Sequence, residues 1–436
     1  MHVSVQKYGG TSLRDASCLK TIADRVVDTQ RAGYQTVVVV SAMGNTTNEL
    51  IDLAGQFGPE AHGRELDALL STGECTSAAL LAMAIQQRGV PACSMTGAQA
   101  GILTDRAFGR AHIVDVHPAR VSRELTLGQI VVVAGFQGKA QDTGCITTLG
   151  RGGSDATATA LAAALRADVC EIGTDVDGVY TADPRHVPDA RKLDSVGYDQ
   201  MLELARGGAK VLMPRCVEYA RTHGVRLHVR AANGRSDGTW VEGSPPESTV
   251  ERLSERPAVL GLAHLAGQVR YTVNGVLDQP ESLLAVFSAL TDSAVDPDQT
   301  TWTQSATRNG ALDVSFVAPG SSGERIDAVL DATRTASGGD PIQHSEPLGK
   351  LSVVGSRLRS HPSALPNLLH ALSAAGVGVK NAEVCDSRIT VGCEDSDLIP
   401  AVVAAHDAFG LAEEGGGQPR YAERITVPKR VPAGRT

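Results

Sequence analysis

Hydrophobic positions in the first half of the chain follow two alternating rhythms. Short β-branched runs at Val3 to Val5, Val37 to Ser41 and Ile130 to Ala134 read as strands covered on both faces. Between them Cys18, Ile22 and Val26, with Leu19 and Ala23 beside them, mark one face of a helix, and Glu65 to Arg88 forms a longer apolar-faced helix. Strands separated by helices predict an α/β fold with a mostly parallel central sheet and helices on both faces. Asp168 to Ile172 continues as a strand, Leu202 to Ala205 and Val211 to Thr222 read as helical, and Val225 to Arg230 closes the region as a strand.

Asn233 to Pro246 is rich in Gly, Ser and Pro and reads as a boundary. Residues 1–245 are therefore expected to form one domain, 246–258 a linker, and 259–436 a second region. In that region the pattern becomes strand, helix, strand, strand, twice over. The first unit has Val269 to Val273 and then Pro280 to Leu290. The second has Leu351 to Val354, Pro362 to Ala375, Val377 to Val384 and Arg388 to Gly392. This predicts a tandem of small α+β modules. Gly320 to Gly323 and Ser337 to Asp340 read as loops, and the Gly/Pro-rich chain after Glu413 as a frayed end.

Composition narrows the function classes. With 436 residues, 42% hydrophobic and 20% charged, the chain reads as a soluble multidomain protein. A formal net charge of −9 argues against a nucleic-acid or anionic-membrane partner, so any anionic ligand must meet local cations. The eight cysteines form no CxxC pair and no Cys/His cluster at ligand spacing, which fits a reduced cytoplasmic setting and assigns no metal ligands. MHVSVQKYGG is not an export leader, and no apolar run is expected to span a bilayer.

Three motifs carry candidate chemistry. Lys7-Tyr8-Gly9-Gly10-Thr11-Ser12 joins the first strand to the first helix. Its glycines let backbone N–H groups approach phosphate oxygens and Lys7 supplies a mobile cation, although an ordinary strand-to-helix turn would read the same. Thr147-Thr148-Leu149-Gly150-Arg151-Gly152-Gly153-Ser154-Asp155 opens the helix Ala156 to Arg166. It offers Arg151 for bidentate carboxylate recognition and Asp155 to orient lysines, or else Ser154 or Asp155 simply caps the helix. Thr174-Asp175-Val176-Asp177-Gly178-Val179-Tyr180-Thr181-Ala182-Asp183-Pro184-Arg185 follows a strand at the carboxyl edge, where open α/β sheets bind ligands. Its spacing fails the EF-hand pattern.

Taken in order with Gly208-Ala209-Lys210-Val211-Leu212, these motifs resemble the aspartate kinases of the amino-acid kinase superfamily through about residue 245. The duplicated modules resemble that family's pair of regulatory ACT domains. The resemblance implies transfer of the ATP γ-phosphoryl group to the side-chain carboxylate of L-aspartate. It implies Lys7, Asp155 and Lys210 at the phosphoryl-transfer centre. It also implies Arg151 on the substrate α-carboxylate, Glu74 on its ammonium, and Ser41, Thr47 and Ser154 around the acceptor. Gly9, Gly10 and Ser12 would line the phosphates, and Thr174, Asp175, Tyr180, Arg185 and Lys210 would border the nucleotide. ATP would bring Mg²⁺, and the ACT modules would join copies of the chain into a homodimer or larger homo-oligomer.

The chain departs from the family at Gly173, where an aromatic is usual, at Cys75 and at Met213. Asp278-Gln279-Pro280-Glu281 stands where the first ACT unit commonly reads D-x-P-G, and a glutamate there crowds and repels an effector carboxylate. Weakened lysine and threonine feedback is therefore expected. Two other readings stay open: a kinase for a modified aspartate or another amino-acid carboxylate, and an ACT-assembled pseudokinase.

Overall fold

The computed structural model describes residues 2–58, 63–232, 237–243, 258–293 and 295–412. Apart from Ala258, the expected linker 246–258 lies outside the described residues, as does the chain from residue 413. Two compact units result: Met1–Tyr180 with Lys192–Ser254, and Thr181–Arg191 with Glu255–Thr436. Thr181–Arg191, inside the 1–245 stretch expected as one domain, thus packs with the C-terminal unit.

The first unit contains strands β1 (His2–Tyr8), β2 (Tyr34–Val40), β3 (Ala92–Met95), β4 (Ile102–Thr104), β5 (Ile113–Val116), β6 (Ile130–Ala134), β7 (Gln137–Ala140), β8 (Ile146–Thr148), β9 (Val169–Thr174), β10 (Ser195–Gly197), β11 (Leu227–Ala231) and β12 (Thr239–Glu242). Its helices are α1 (Ala16–Arg31), α2 (Thr46–Gly55), α3 (Arg64–Gln86), α4 (Ala119–Thr126), α5 (Gly153–Leu165), α6 (Tyr198–Gly207) and α7 (Pro214–His223). The main sheet runs β10-β12-β11-β9-β1-β2-β6-β3, and β1 pairs in parallel with β2 and β9. Val37, Val38, Val39 and Val40 are all buried because this central strand is covered on both faces. Tyr8, Val38, Val40, Val132 and Ala134 share a core with α1 and α3. Lys7, alternate to Tyr8 in the pleat, reaches α5, whose alanine-rich residues 153–162 are buried all round.

Three differences from the sequence expectation have local causes. A second sheet, β5-β4-β7-β8, was not foreseen, because strands of three or four residues give no readable alternation. The Asn233 to Pro246 stretch contains β12, which Gly238 admits by its φ of +67°. Helix α7 begins only at Pro214, a favoured first helical residue, rather than at Val211. By length and composition α3 passes for a membrane span, against the expectation that no run would; yet its Asp67, Ser71, Glu74 and Ser77 are buried in this fold.

In the second unit one long strand, β13 (Ala258–Leu277), serves both modules. Its first half pairs with β17 (Leu348–Ser356) and its second with β15 (Ala311–Pro319), the register shifting between Leu265 and Gln268 beside Gly267. The sheet order is β14-β15-β13-β17-β19-β18, with β14 spanning Asp298–Gln304, β18 Asn381–Val384 and β19 Arg388–Glu394, and with β16 (Gln343–His344) beside β13. Helices α8 (Pro280–Asp292) and α10 (Ala364–Ala374) fall close to expectation. Each module adds a further helix, α9 (Gly323–Ser337) and α11 (Leu398–Ala408). Val377 to Lys380 is not strand, because Val377 and Val379 pack on the module core from a loop. Ala182 and Val187 of the Thr181–Arg191 segment join the same core.

Candidate functional site

Where β1, β2, β6 and β9 end and α5 begins, the sheet presents its carboxyl edge. The chain folds tightly there because several positions have no room for a side chain. A Cβ at Gly10 would lie 2.8 Å from Ala42 O, and one at Gly73 would lie 2.8 Å from Ala42 Cβ, so both the first loop and α3 close on the turn after β2. Gly9 leaves space for Lys7, whose Nζ would be 3.4 Å from a Cβ there. Ser12 N–H donates to Gly9 O at 3.0 Å and closes the turn.

Lys7 Nζ stands 2.6 Å from Asp155 Oδ1, with both side chains nearly buried. Asp155 occupies the first turn of α5, where the helix dipole favours negative charge. The capping alternative does not hold: the N-cap of α5 is Gly152, and neither Ser154 nor Asp155 caps it. Ser154 Oγ instead accepts a 3.0 Å hydrogen bond from Ser41 Oγ. Gly135, which drew no attention in the sequence, makes that possible, since a Cβ there would sit 2.9 Å from Ser154 Oγ.

Glu74, on α3, accepts from Ala42 N–H at 3.0 Å through Oε1. Its Oε2 has no hydrogen-bond partner among the described residues, and the residue is 3% exposed. Burial pushes its carboxyl up to about 7. Thr47 lies in the first turn of α2, half-buried, directly after the Ala42 turn.

The loop before α5 is held by residues that the motifs did not reveal. Asp67, buried on α3, accepts from Thr148 N–H (2.7 Å), Thr148 Oγ1 (2.8 Å) and Gly109 N–H (3.0 Å). Arg215 donates to Leu149 O and Ala111 O, each at 2.9 Å. Gly150 and Gly152 take φ of +74° and +71°, and Met213 packs where a side chain at 152 would stand. The available signal was an aspartate seven residues before Glu74, on the same face of an apolar helix.

Arg151 and Lys210 differ from these groups. Both are exposed, on the loop before α5 and on the turn between α6 and α7, and neither has an ion-pair partner among the described residues. At the end of β9, Thr174 Oγ1 donates to Asp175 at 2.9 Å, and Tyr180 OH donates to Asp177. Burial, with Asp177 adding to it, pushes the Tyr180 phenol up to about 12. Arg185 falls in the second unit, where Nε and Nη2 grip Asp183 at 3.0 and 2.6 Å.

Gly173 has a structural cause. It pairs in register with Tyr8, and a Cβ on it would lie 2.9 Å from the Tyr8 ring and 3.0 Å from Lys7 O. The fully buried Tyr8 ring takes the space an aromatic at 173 would need, while its hydroxyl donates to Gln6 at 3.1 Å.

Comparison with known proteins fits this arrangement. The amino acid kinase family model matches residues 3–231. The aspartokinase of Mycobacterium bovis is 46% identical over 411 residues, spanning 94% of this chain and 97% of the relative. That of Corynebacterium glutamicum is 44% identical over 414 residues, spanning 95% and 97%. Among solved structures, aspartate kinase from Synechocystis superposes with a TM-score of 0.52 at 36% identity, covering 94% of this chain and 69% of that one. Aspartokinase III of E. coli in complex with aspartate and ADP superposes at 0.77, with 24% identity and coverage of 93% and 99%.

Proposed function

The chain belongs to the amino acid kinase family and, within it, to the aspartokinases, and from that premise we propose how its residues divide the work of phosphorylating L-aspartate. The reaction moves the ATP γ-phosphoryl group onto the side-chain carboxylate and leaves ADP and 4-phospho-L-aspartate. A carboxylate with an ordinary pKa of about 3.9 is already ionised at neutral pH, so the nucleophile requires no general base. The obstacle is charge: two unit charges about 4 Å apart repel by roughly 4 kcal/mol at an effective dielectric near 20.

Lys7 answers it. Asp155 holds the ammonium by opposite charge at 2.6 Å, and Lys7 turns its donors toward the transferring group and the incoming carboxylate. Lys210, exposed on its turn, adds a second cation on the nucleotide side. The backbone at Gly9, Gly10 and Ser12 meets phosphate oxygens, and Thr174, Asp175 and Tyr180 border the nucleotide. ATP would carry Mg²⁺ on its phosphates, where the ion would offset their charge. Neither carboxylate is assigned to the ion, since Asp155 pairs with Lys7 and the open oxygen of Glu74 is assigned to the substrate ammonium.

Three anchors select the acceptor. Glu74 receives the ammonium, Arg151 grips the α-carboxylate bidentately, and Ser41, Thr47 and Ser154 surround the side chain. The observation that carries this reading is the Lys7–Asp155 pair with Glu74 nearly buried at the same sheet edge. ATP-dependent hydroxamate formation across L-aspartate, L-glutamate, succinate and β-substituted aspartates tests it, with L-aspartate expected to react fastest. A faster substituted aspartate would reassign the acceptor, and no product with any of them would support a pseudokinase.

The second unit is read as a regulatory and assembly region. Exposed Leu284 and Trp302 suit contact with another copy, which light scattering would register as a dimer or larger species. Glu281 stands exposed in the first turn of α8, so lysine plus threonine is expected to inhibit weakly. Strong inhibition at low millimolar effector would overturn that expectation.

A further inference from the structure

We propose that Asp183, His186 and His264 form a binding site for one divalent transition-metal ion of the zinc type. All three belong to the second unit, two on the Thr181–Arg191 segment and one on β13. One ligand atom from each lies within 4.8 Å of the others, and this is the one such group of three among the described residues. A metal with ligand bonds of about 2.1 Å holds its donors roughly 3.4 Å apart, so the set closes on an ion by side-chain rotations, which exposed His186 makes most freely. The imidazoles meet edge to face, with centroids 5.3 Å apart and planes at 72°, so they approach without stacking.

The carboxylate is already fixed. Arg185 donates to Asp183 Oδ1 through its backbone N–H and Nε (both 3.0 Å) and to Oδ2 through Nε (3.2 Å) and Nη2 (2.6 Å), so a metal would take the place of one of these contacts while the others keep the carboxylate oriented. Outer hydrogen bonds of this kind orient a metal-binding carboxylate. Two imidazoles and one carboxylate suit Zn²⁺, Co²⁺ or Ni²⁺ over Mg²⁺ or Ca²⁺, and three protein ligands leave a coordination position for water.

The ion would act as a clamp. Thr181 O already accepts from Leu262 N–H at 2.7 Å, and Thr181 Oγ1 meets His406 Nε2 at 3.1 Å, which anchors one end of the segment. A bound metal would tie its middle to β13 as well. None of the three ligands has a part in the phosphoryl-transfer assignment, so the site stands or falls independently of it.

Titration of the chelator-stripped full-length protein with Co²⁺, without ATP or Mg²⁺, tests the proposal by visible absorption and equilibrium dialysis. The expected result is one Co²⁺ per chain, displaced by one Zn²⁺ and lacking the intense near-ultraviolet thiolate band of a cysteine site. His186→Gln and His264→Gln should each weaken binding at least about tenfold. His112→Gln, which removes a histidine that pairs with Asp105 and lies outside the proposed set, should leave it unchanged. Exposed His186 makes the first variant safe for folding, and circular dichroism checks the second. Absence of stoichiometric binding, a thiolate band, or equal affinity in His186→Gln and wild type would overturn the site.

Discussion

The two halves of the proposed catalytic edge are built differently. Around Lys7, Asp155, Ser41, Ser154 and Glu74 the side chains are mostly buried and already joined to one another or to backbone. Arg151 and Lys210 stand exposed on a loop and a turn, with no ion-pair partner among the described residues. On the proposed assignment the first half is prepared before ligands arrive, whereas the second gains partners when they do. Preorganised charge is what accelerates a step, because it costs no rearrangement at the moment of reaction. Exposed arms contribute mainly to binding.

The largest break in that contrast should come from Lys7→Ala. Turnover is expected to fall by about 10²- to 10³-fold with a far smaller change in KM, as measured by ADP release. Unchanged turnover would make the Lys7–Asp155 pair merely structural.

Glu74→Gln tests the cost of preparation. Burial raises the folded value to about 7 from an ordinary 4.5, so the folded chain holds a proton that the unfolded chain has lost between those values. This group's contribution to stability is therefore greatest below about pH 4.5 and declines as pH rises through 7. Above pH 7 the penalty reaches on the order of 3 kcal/mol. Denaturant titration at pH 8 should find Glu74→Gln more stable than wild type without substrate, and the gain should shrink by pH 5. Equal stability at both values would remove the burial argument.

Arg151→Lys tests the open half. Losing the bidentate fork should raise the KM for aspartate about tenfold and that for ATP much less. Equal shifts in the two constants would reassign Arg151. The smallest effect is expected from Gly173→Ala, whose methyl meets the Tyr8 ring and should cost on the order of 1 kcal/mol in thermal unfolding. A neutral result would mean the Tyr8 strand end yields more easily than its full burial suggests.

The prepared half was the more legible in sequence. KYGGTS and TTLGRGGSDATA place Lys7, Asp155 and Ser154 on a strand end and a helix start, which local rules read well. The supports were not legible. Asp67, Gly135 and Arg215 act through contacts across 42 to 104 positions of chain, or through space that a glycine leaves free, and no spacing reveals those. Gly173 looked like a missing aromatic until its register against Tyr8 showed which ring fills the space. The parallel core and the module duplication were readable from periodicity, while the small sheet β5-β4-β7-β8 was too short to leave a pattern. Assignment of Thr181–Arg191 to the C-terminal unit was hidden for the same reason as the supports: it rests on Ala182 and Val187 burying in one core with Leu262 and with residues from Leu351 onward, far along the chain.

On the proposed assignment the prepared half lacks one charge, which the substrate ammonium supplies to Glu74. Calorimetry of L-aspartate binding at pH 7, in buffers of different ionisation enthalpy, measures this directly. Because burial raises the Glu74 carboxyl, ammonium binding should release a fraction of a proton, and Glu74→Gln should abolish the release. Binding without proton release in the wild type would contradict the account.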